Sequence, residues 1–100
     1  MIYTIKDDNI LMDLRGELDI ANVDNFKKNC LEIAEEHKKG FVIDCNELTF
    51  IDSTALGAFV TLNKKLTAYN KKLVLKNLKP SLKRLFTITN LDKSIQIIED

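Results

Sequence analysis

The chain has 100 residues, 45% of them hydrophobic, which is enough for one domain with its own core and too few for a second domain. Lysine plus arginine and aspartate plus glutamate number 15 each, so no net positive charge attracts nucleic acid or an anionic membrane. We therefore expect a single domain over residues 1–100 that binds no nucleic acid and no membrane.

The sequence has no run of 18 apolar residues, and it opens on a strand-like segment without a basic leader. We therefore expect a soluble, cytoplasmic protein. Cys30 and Cys45 belong to no CxxC motif or Cys/His cluster, and no glycine-rich phosphate loop is present. We expect both cysteines to be reduced thiols, Cys30 to be a small core residue, and the domain to carry no metal and no cofactor.

The first half of the chain predicts a hairpin, a helix and a strand. Residues 2–6 and 9–15 predict two strands, because alternating apolar and polar residues bracket a turn-forming Asp-Asp-Asn segment. Apolar residues at helical spacing predict a helix over residues 22–38. The nearly continuous apolar run at residues 41–45 is typical of a central strand.

The second half continues this alternation. A helix is predicted from Ser53, a strand at residues 72–76, a short helix after Pro80, and a fifth strand at residues 94–98. The order ββαβαβαβ indicates an α/β domain with a mixed five-stranded sheet. Since parallel crossovers are right-handed, the crossover helices are expected largely on one face.

The segment from residue 50 to residue 60 carries the main functional signal. An apolar strand ends at Asp52, and Ser53 and Thr54 follow at the start of a helix. At a helix N-terminus the first N–H groups lack partners and the dipole is positive, which favours a serine hydroxyl or a phosphate carried on it. Ser53 is therefore predicted to be the N-cap. From the residues alone, an ordinary cap and a regulatory phosphoacceptor both stay open, and Thr54 fits a local hydrogen-bonding role.

Asp19 and Asp52 are predicted to lie at the same end of the sheet, the end from which the Ser53 helix starts. The sequence leaves two alternative roles open for their carboxylates. They would steer a kinase's reaction at the hydroxyl or contact a basic partner, or they would serve turn and cap chemistry.

Residues 48–57, Leu-Thr-Phe-Ile-Asp-Ser-Thr-Ala-Leu-Gly, resemble the phosphorylation-site segment of STAS domains of the bacterial anti-sigma factor antagonist type. Residues 15–19, Arg-Gly-Glu-Leu-Asp, and residues 79–86, Lys-Pro-Ser-Leu-Lys-Arg-Leu-Phe, match two further segments of that family in the right order. One departure is Ala55, where the family commonly has glycine. The resemblance implies a single STAS-like domain that is phosphorylated on Ser53.

The resemblance also implies a function. Unphosphorylated, such a protein sequesters an anti-sigma factor that is also a serine kinase; phosphorylated on Ser53, it releases that partner, and a phosphoserine phosphatase restores the first state. The partner-binding residues expected from the resemblance and the predicted helix start are Gly16, Glu17, Leu18, Asp19, Asp52, Ser53, Thr54, Leu56 and Gly57.

Two other functions are alternatives to this one. A STAS scaffold subunit of a larger stress-sensing or transporter-associated complex would use the same face, without need of a phosphate. A small hydrolase with a serine or cysteine nucleophile is disfavoured, because Ser53 lacks a G-x-S-x-G elbow and the sole histidine, His37, is predicted far from it. We therefore expect no enzymatic activity.

Overall fold

The structure is a computed structural model that describes residues 1–99. Within this range, eleven elements follow one another. They are β1 (Thr4–Lys6), β2 (Asn9–Asp13), β3 (Gly16–Leu18), α1 (Val23–His37), β4 (Gly40–Asp44), β5 (Leu48–Ile51), α2 (Ser53–Ala68), β6 (Leu73–Lys76), α3 (Pro80–Ile88), a short 3-10 helix (Leu91–Lys93) and β7 (Gln96–Ile98).

The main sheet has five strands in the spatial order β1-β2-β4-β6-β7. The first two strands form an antiparallel hairpin, and all other neighbours in the sheet are parallel. The predicted mixed five-stranded sheet of an α/β domain is therefore confirmed, with strand ends that differ from the prediction by one to two residues.

A second, two-stranded parallel sheet joins β3 to β5 and was not part of the predicted strand order. Its pairs include Glu17 with Phe50 and Leu18 with Ile51, and the register shifts after Gly16. Gly16 has a φ of +75°, a conformation that glycine adopts without strain. With three residues and a single buried side chain, β3 is too short to show an alternating pattern in the sequence.

The helices pack on one face of the main sheet. Along the central strands, one set of alternate residues is buried, including Phe41, Ile43 and Leu75, whereas Val42 and Val74 between them are only half-buried. Three phenylalanines link the helices to one another. Phe59 of α2 lies 5.8 Å, between ring centroids, from Phe26 of α1 and also from Phe86 of α3. Burial of aromatic rings in such contacts is a major source of stability.

Both cysteines are free and fully buried, which confirms Cys30 as a core residue and adds Cys45 to the core. Burial raises the pKa of the Cys30 thiol to about 12, and burial followed by the nearby Asp44 carboxylate does the same for Cys45. The reactive species of cysteine is the thiolate. Neither residue therefore offers a nucleophile at neutral pH.

A polar cluster on the surface ties the end of α2 to α1. The Tyr69 hydroxyl donates a hydrogen bond to the Glu35 carboxylate, and Lys65 Nζ lies 2.9 Å from Glu35 Oε2. The Tyr69 hydrogen bond, followed by Lys65, lowers the pKa of Glu35 to about 2. The cluster is thus complete only when Glu35 is ionised.

We expect this cluster to make the domain acid-sensitive. Its stabilisation is fully present above the ordinary glutamate pKa of 4.5 and is lost as pH falls toward about 2, because over this range the unfolded state binds a proton that the folded state does not. Thermal melting of wild type and Glu35→Gln at low ionic strength should show a difference in melting temperature that shrinks over this range. The exposed Glu32→Gln serves as the control, and a gap that stays constant down to pH 2 would contradict an ionic cluster.

Candidate phosphorylation site and partner surface

The N-cap of α2 is Asp52, so the prediction of Ser53 as the cap is wrong by one residue. Asp52 has an extended backbone, and its Oδ1 accepts hydrogen bonds from the Ala55 N–H at 3.0 Å and the Thr54 hydroxyl at 2.5 Å. Aspartate is as good an N-cap as serine, and here it is the residue immediately before the first helical residue. Ser53 is the first helical residue, and its side chain is exposed.

Asp52 also joins α2 to the segment that follows β3. Its Oδ2 accepts the Ile20 N–H at 2.9 Å, and its own N–H donates to the Leu18 carbonyl at 3.4 Å. The Thr54 hydroxyl, followed by the backbone N–H groups, lowers the pKa of Asp52. The carboxylate is therefore charged at neutral pH, and it holds two chain segments together at the start of the helix.

Asp19 begins the turn that leads into α1. Its Oδ1 accepts the Ala21 N–H at 3.0 Å, and its carbonyl accepts the N–H groups of Asn22 and Val23. Asn22 Oδ1 in turn accepts the Asp19 N–H at 3.0 Å. Since Leu18 pairs with Ile51, Asp19 and Asp52 follow side by side at the same end of the small sheet. The turn and cap roles foreseen for these carboxylates are thus both present.

The predicted partner-binding residues lie together around the start of α2, but they differ in exposure. Gly16, Glu17, Ser53 and Gly57 are exposed, and Asp19, Asp52, Thr54 and Leu56 are partly buried. Leu18 is only 2% exposed, so its side chain belongs to the core and is not available to a partner. A Cβ at Gly57 would meet nothing within 4 Å, so packing inside the domain does not require glycine there.

Ala55, the residue that departs from the family pattern, is fully buried in the first turn of α2. Its methyl group faces the core, and its N–H is held by Asp52. The departure therefore leaves the capping arrangement intact, and it does not change the exposed surface next to Ser53.

His37 lies far from this site. It is the last residue of α1, about 21 Å along the helix from the end that adjoins Asp19, and its Nε2 lies 3.2 Å from the Tyr3 hydroxyl. Ser53 therefore has no histidine base. Among residues 1–99, no group of three or more His, Cys, Asp or Glu side chains is arranged to hold a metal ion. Within the same range, no helix has the length and apolarity needed to cross a membrane.

Two features of the site were not predicted from the sequence. One is the bond from the Ile20 N–H to Asp52, which depends on two strands far apart in the chain. The other is the exposure of Phe50. The bond between the Ile20 N–H and Asp52 has no local sequence signal. The capping role of Asp52, in contrast, could have been predicted, because aspartate is a preferred N-cap.

The fold and this arrangement define the class of protein. The chain matches the STAS domain family over residues 1–100, so it belongs to that family, and the resemblance seen in the sequence is confirmed.

Within the family, the chain is similar to anti-sigma factor antagonists. The anti-sigma-B factor antagonist of Listeria monocytogenes is 39% identical over 92 residues, which cover 90% of this chain and 79% of that protein. A crystal structure of a candidate anti-sigma factor antagonist from Thermotoga maritima has a TM-score of 0.90 and 26% identity, covering 99% of this chain and 86% of the other. The unphosphorylated form of the anti-sigma factor antagonist SpoIIAA shares the fold, with a TM-score of 0.73, 19% identity, and coverage of 87% and 83%.

Proposed function

We propose that this protein is an anti-sigma factor antagonist that acts by partner switching in the cytoplasm. With Ser53 unmodified it sequesters an anti-sigma factor that is also a serine kinase, and with Ser53 phosphorylated it lets that partner go. The observation that carries the proposal is the exposed Ser53 side chain directly after a complete aspartate cap, on a chain similar to anti-sigma-B factor antagonists.

The hydrogen bonds favour Ser53 over Thr54 as the phosphoacceptor. The Thr54 hydroxyl donates to Asp52 at 2.5 Å and is partly buried, so its modification would break the cap. Ser53 is exposed and takes no part in the cap. In the transfer, the serine oxygen bonds to the γ-phosphorus of ATP, ADP leaves, and the hydroxyl proton goes to a base or to water.

Release follows from charge. Phosphorylation adds about −1.5 to −2 units at the first residue of α2, where the helix dipole tolerates it. A kinase that modifies Ser53 has to place ATP phosphates opposite this hydroxyl. After transfer, the phosphoserine therefore faces the phosphates of bound nucleotide, with Asp52 beside it, and like charges across an interface weaken it by several kcal/mol. The fold is kept while the complex dissociates, and a phosphoserine phosphatase resets the switch.

The glycine at position 57 supports the same face. It lies inside α2, where glycine is less stable than alanine by about 0.5–1 kcal/mol, and no neighbour in the domain needs the space. A partner that approaches the helix backbone closely explains a residue that the isolated domain does not require.

Incubation with the cognate kinase and ATP should place one phosphate on Ser53 and none on Thr54. Tandem mass spectrometry of the modified peptide identifies the position, and Thr54→Val serves as the control that retains the phosphoacceptor. A phosphate found on Thr54 alone would show that the proposed site is wrong.

The partner is tested by a pull-down from extract of the source organism, comparing wild type with Ser53→Asp and identifying captured proteins by mass spectrometry. We expect an anti-sigma factor in the wild-type sample alone. A partner that both forms capture equally, and that stays bound after kinase treatment, would instead support a scaffold subunit.

A further inference from the structure

Phe50 is the one exposed phenylalanine of the five in the chain. The rings of Phe26, Phe41, Phe59 and Phe86 are all buried, at 6% exposure or less, whereas Phe50 is 47% exposed. It lies in β5, where it and Thr49 are exposed between the buried residues Leu48 and Ile51. An aromatic ring in a position that the domain leaves in water is a candidate anchor for a partner.

A second exposed apolar side chain belongs to the segment that follows the neighbouring strand β3. Ile20 is 73% exposed, and its N–H is bonded to Asp52, which is two residues after Phe50 in the chain. On the neighbouring strand, Glu17 pairs directly with Phe50. The exposed side chains of Glu17, Ile20 and Phe50, which we call the outward face of β3 and β5, thus belong to the two chain segments that Asp52 joins just before Ser53.

The two chain segments that carry the outward face have charges of one sign. Residues 16–20 and 48–52, the strands with their end residues, contain Glu17, Asp19 and Asp52 but no lysine or arginine. The nearest cation before them in the chain, Arg15, pairs with Asp13 at 3.4 Å. A second copy of the chain would oppose these carboxylates with its own, and an anionic membrane would also be repelled.

We propose that the outward face of β3 and β5 is the docking surface for the anti-sigma factor, with Phe50 as the anchor and Ile20 beside it. The partner then presents an apolar pocket that receives the ring and is bordered by lysine or arginine on the side of Glu17 and Asp19. This inference rests on the proposed function and extends it, because it adds residues outside the helix start and specifies the chemistry of the partner's surface.

The test is calorimetric titration of the anti-sigma factor captured by the wild-type protein. Phe50→Ala should weaken binding at least about tenfold, as expected for an interface anchor, and Phe50→Leu should recover part of the loss. Ile88→Ala is the matched control, since Ile88 is 69% exposed on α3, and it should bind within about twofold of wild type. Thermal melting of each variant confirms that the fold is retained.

The charge of the partner surface is tested separately. Glu17→Lys should slow association and weaken its salt dependence, because Glu17 faces basic residues in the complex while Asp19 and Asp52 remain. Glu32→Lys, with the same charge change on an exposed position of α1, should leave the association rate near that of wild type.

The outcomes separate the two proposals. If wild type captures no anti-sigma factor, the proposed function fails and this inference fails with it. If wild type binds and Phe50→Ala binds equally tightly, the docking surface is wrong while the proposed function stands. A photo-crosslinking phenylalanine analogue at position 50 should attach to the partner, and the same analogue at position 88 should not.

Discussion

Ser53→Asp should weaken binding of the anti-sigma factor by about a hundredfold or more. The variant places a permanent negative charge where the kinase holds ATP phosphates, and like charges held close at an interface cost several kcal/mol. The domain itself should melt near the wild-type temperature, because an acidic residue in the first turn of a helix is favourable. Calorimetric titration together with thermal melting measures both quantities on the same samples.

Ser53→Ala is the matched control. It should bind the partner like wild type and be insensitive to the kinase. Because Asp52 and not Ser53 caps the helix, the Ser53→Ala variant should also keep nearly the full stability. Replacing a serine that did cap the helix would instead cost about 1 kcal/mol. If Ser53→Asp binds as tightly as wild type, the phosphorylated protein is titrated in turn. Weak binding of the phosphorylated protein would show that aspartate mimics phosphate poorly, and tight binding would show that the added charge does not drive release.

Asp52→Ala should be the most destabilising substitution at the site. It removes the acceptor for the Ala55 N–H, the Thr54 hydroxyl and the Ile20 N–H. A lost helix cap alone lowers the melting temperature of a domain of this size by about 4–8 °C, so at least this decrease is expected. Hydrogen exchange should report the loss locally, through faster exchange of the Ile20 amide.

Asp52→Asn separates the two functions of this side chain. Its amide oxygen can still accept from Ala55, so the helix cap is retained, but its amide nitrogen cannot accept from Ile20. Melting should fall less than for alanine, while the Ile20 amide should again exchange faster. Protection of Ile20 that survives both substitutions would show that Asp52 does not hold the segment after β3.

Local patterns in the sequence were sufficient for the main sheet and the helices. The hairpin, α1 and the central strands have clear periodicity, because each buries one side against the same core. Cys30 was recognised as a core residue for the same reason: it lies on the buried face of α1. The start of α2 was found within one residue, since serine, threonine and aspartate all favour helix starts, and their order in the chain does not say which of them caps.

The small sheet and the surface around Ser53 depend on tertiary structure. Leu18 was expected among the partner-binding residues, yet its side chain is buried because β3 pairs with β5, a strand about thirty residues later. The same pairing brings the Ile20 N–H to Asp52 and turns Phe50 outward. By itself, the sequence determined the helices, the strands of the main sheet and the hydroxyl at the helix start, because these follow from contacts between near neighbours in the chain. Which carboxylate joins the two segments and which aromatic ring stays in water were decided only by strand pairing across the domain, which leaves no periodic signal in a strand of three residues.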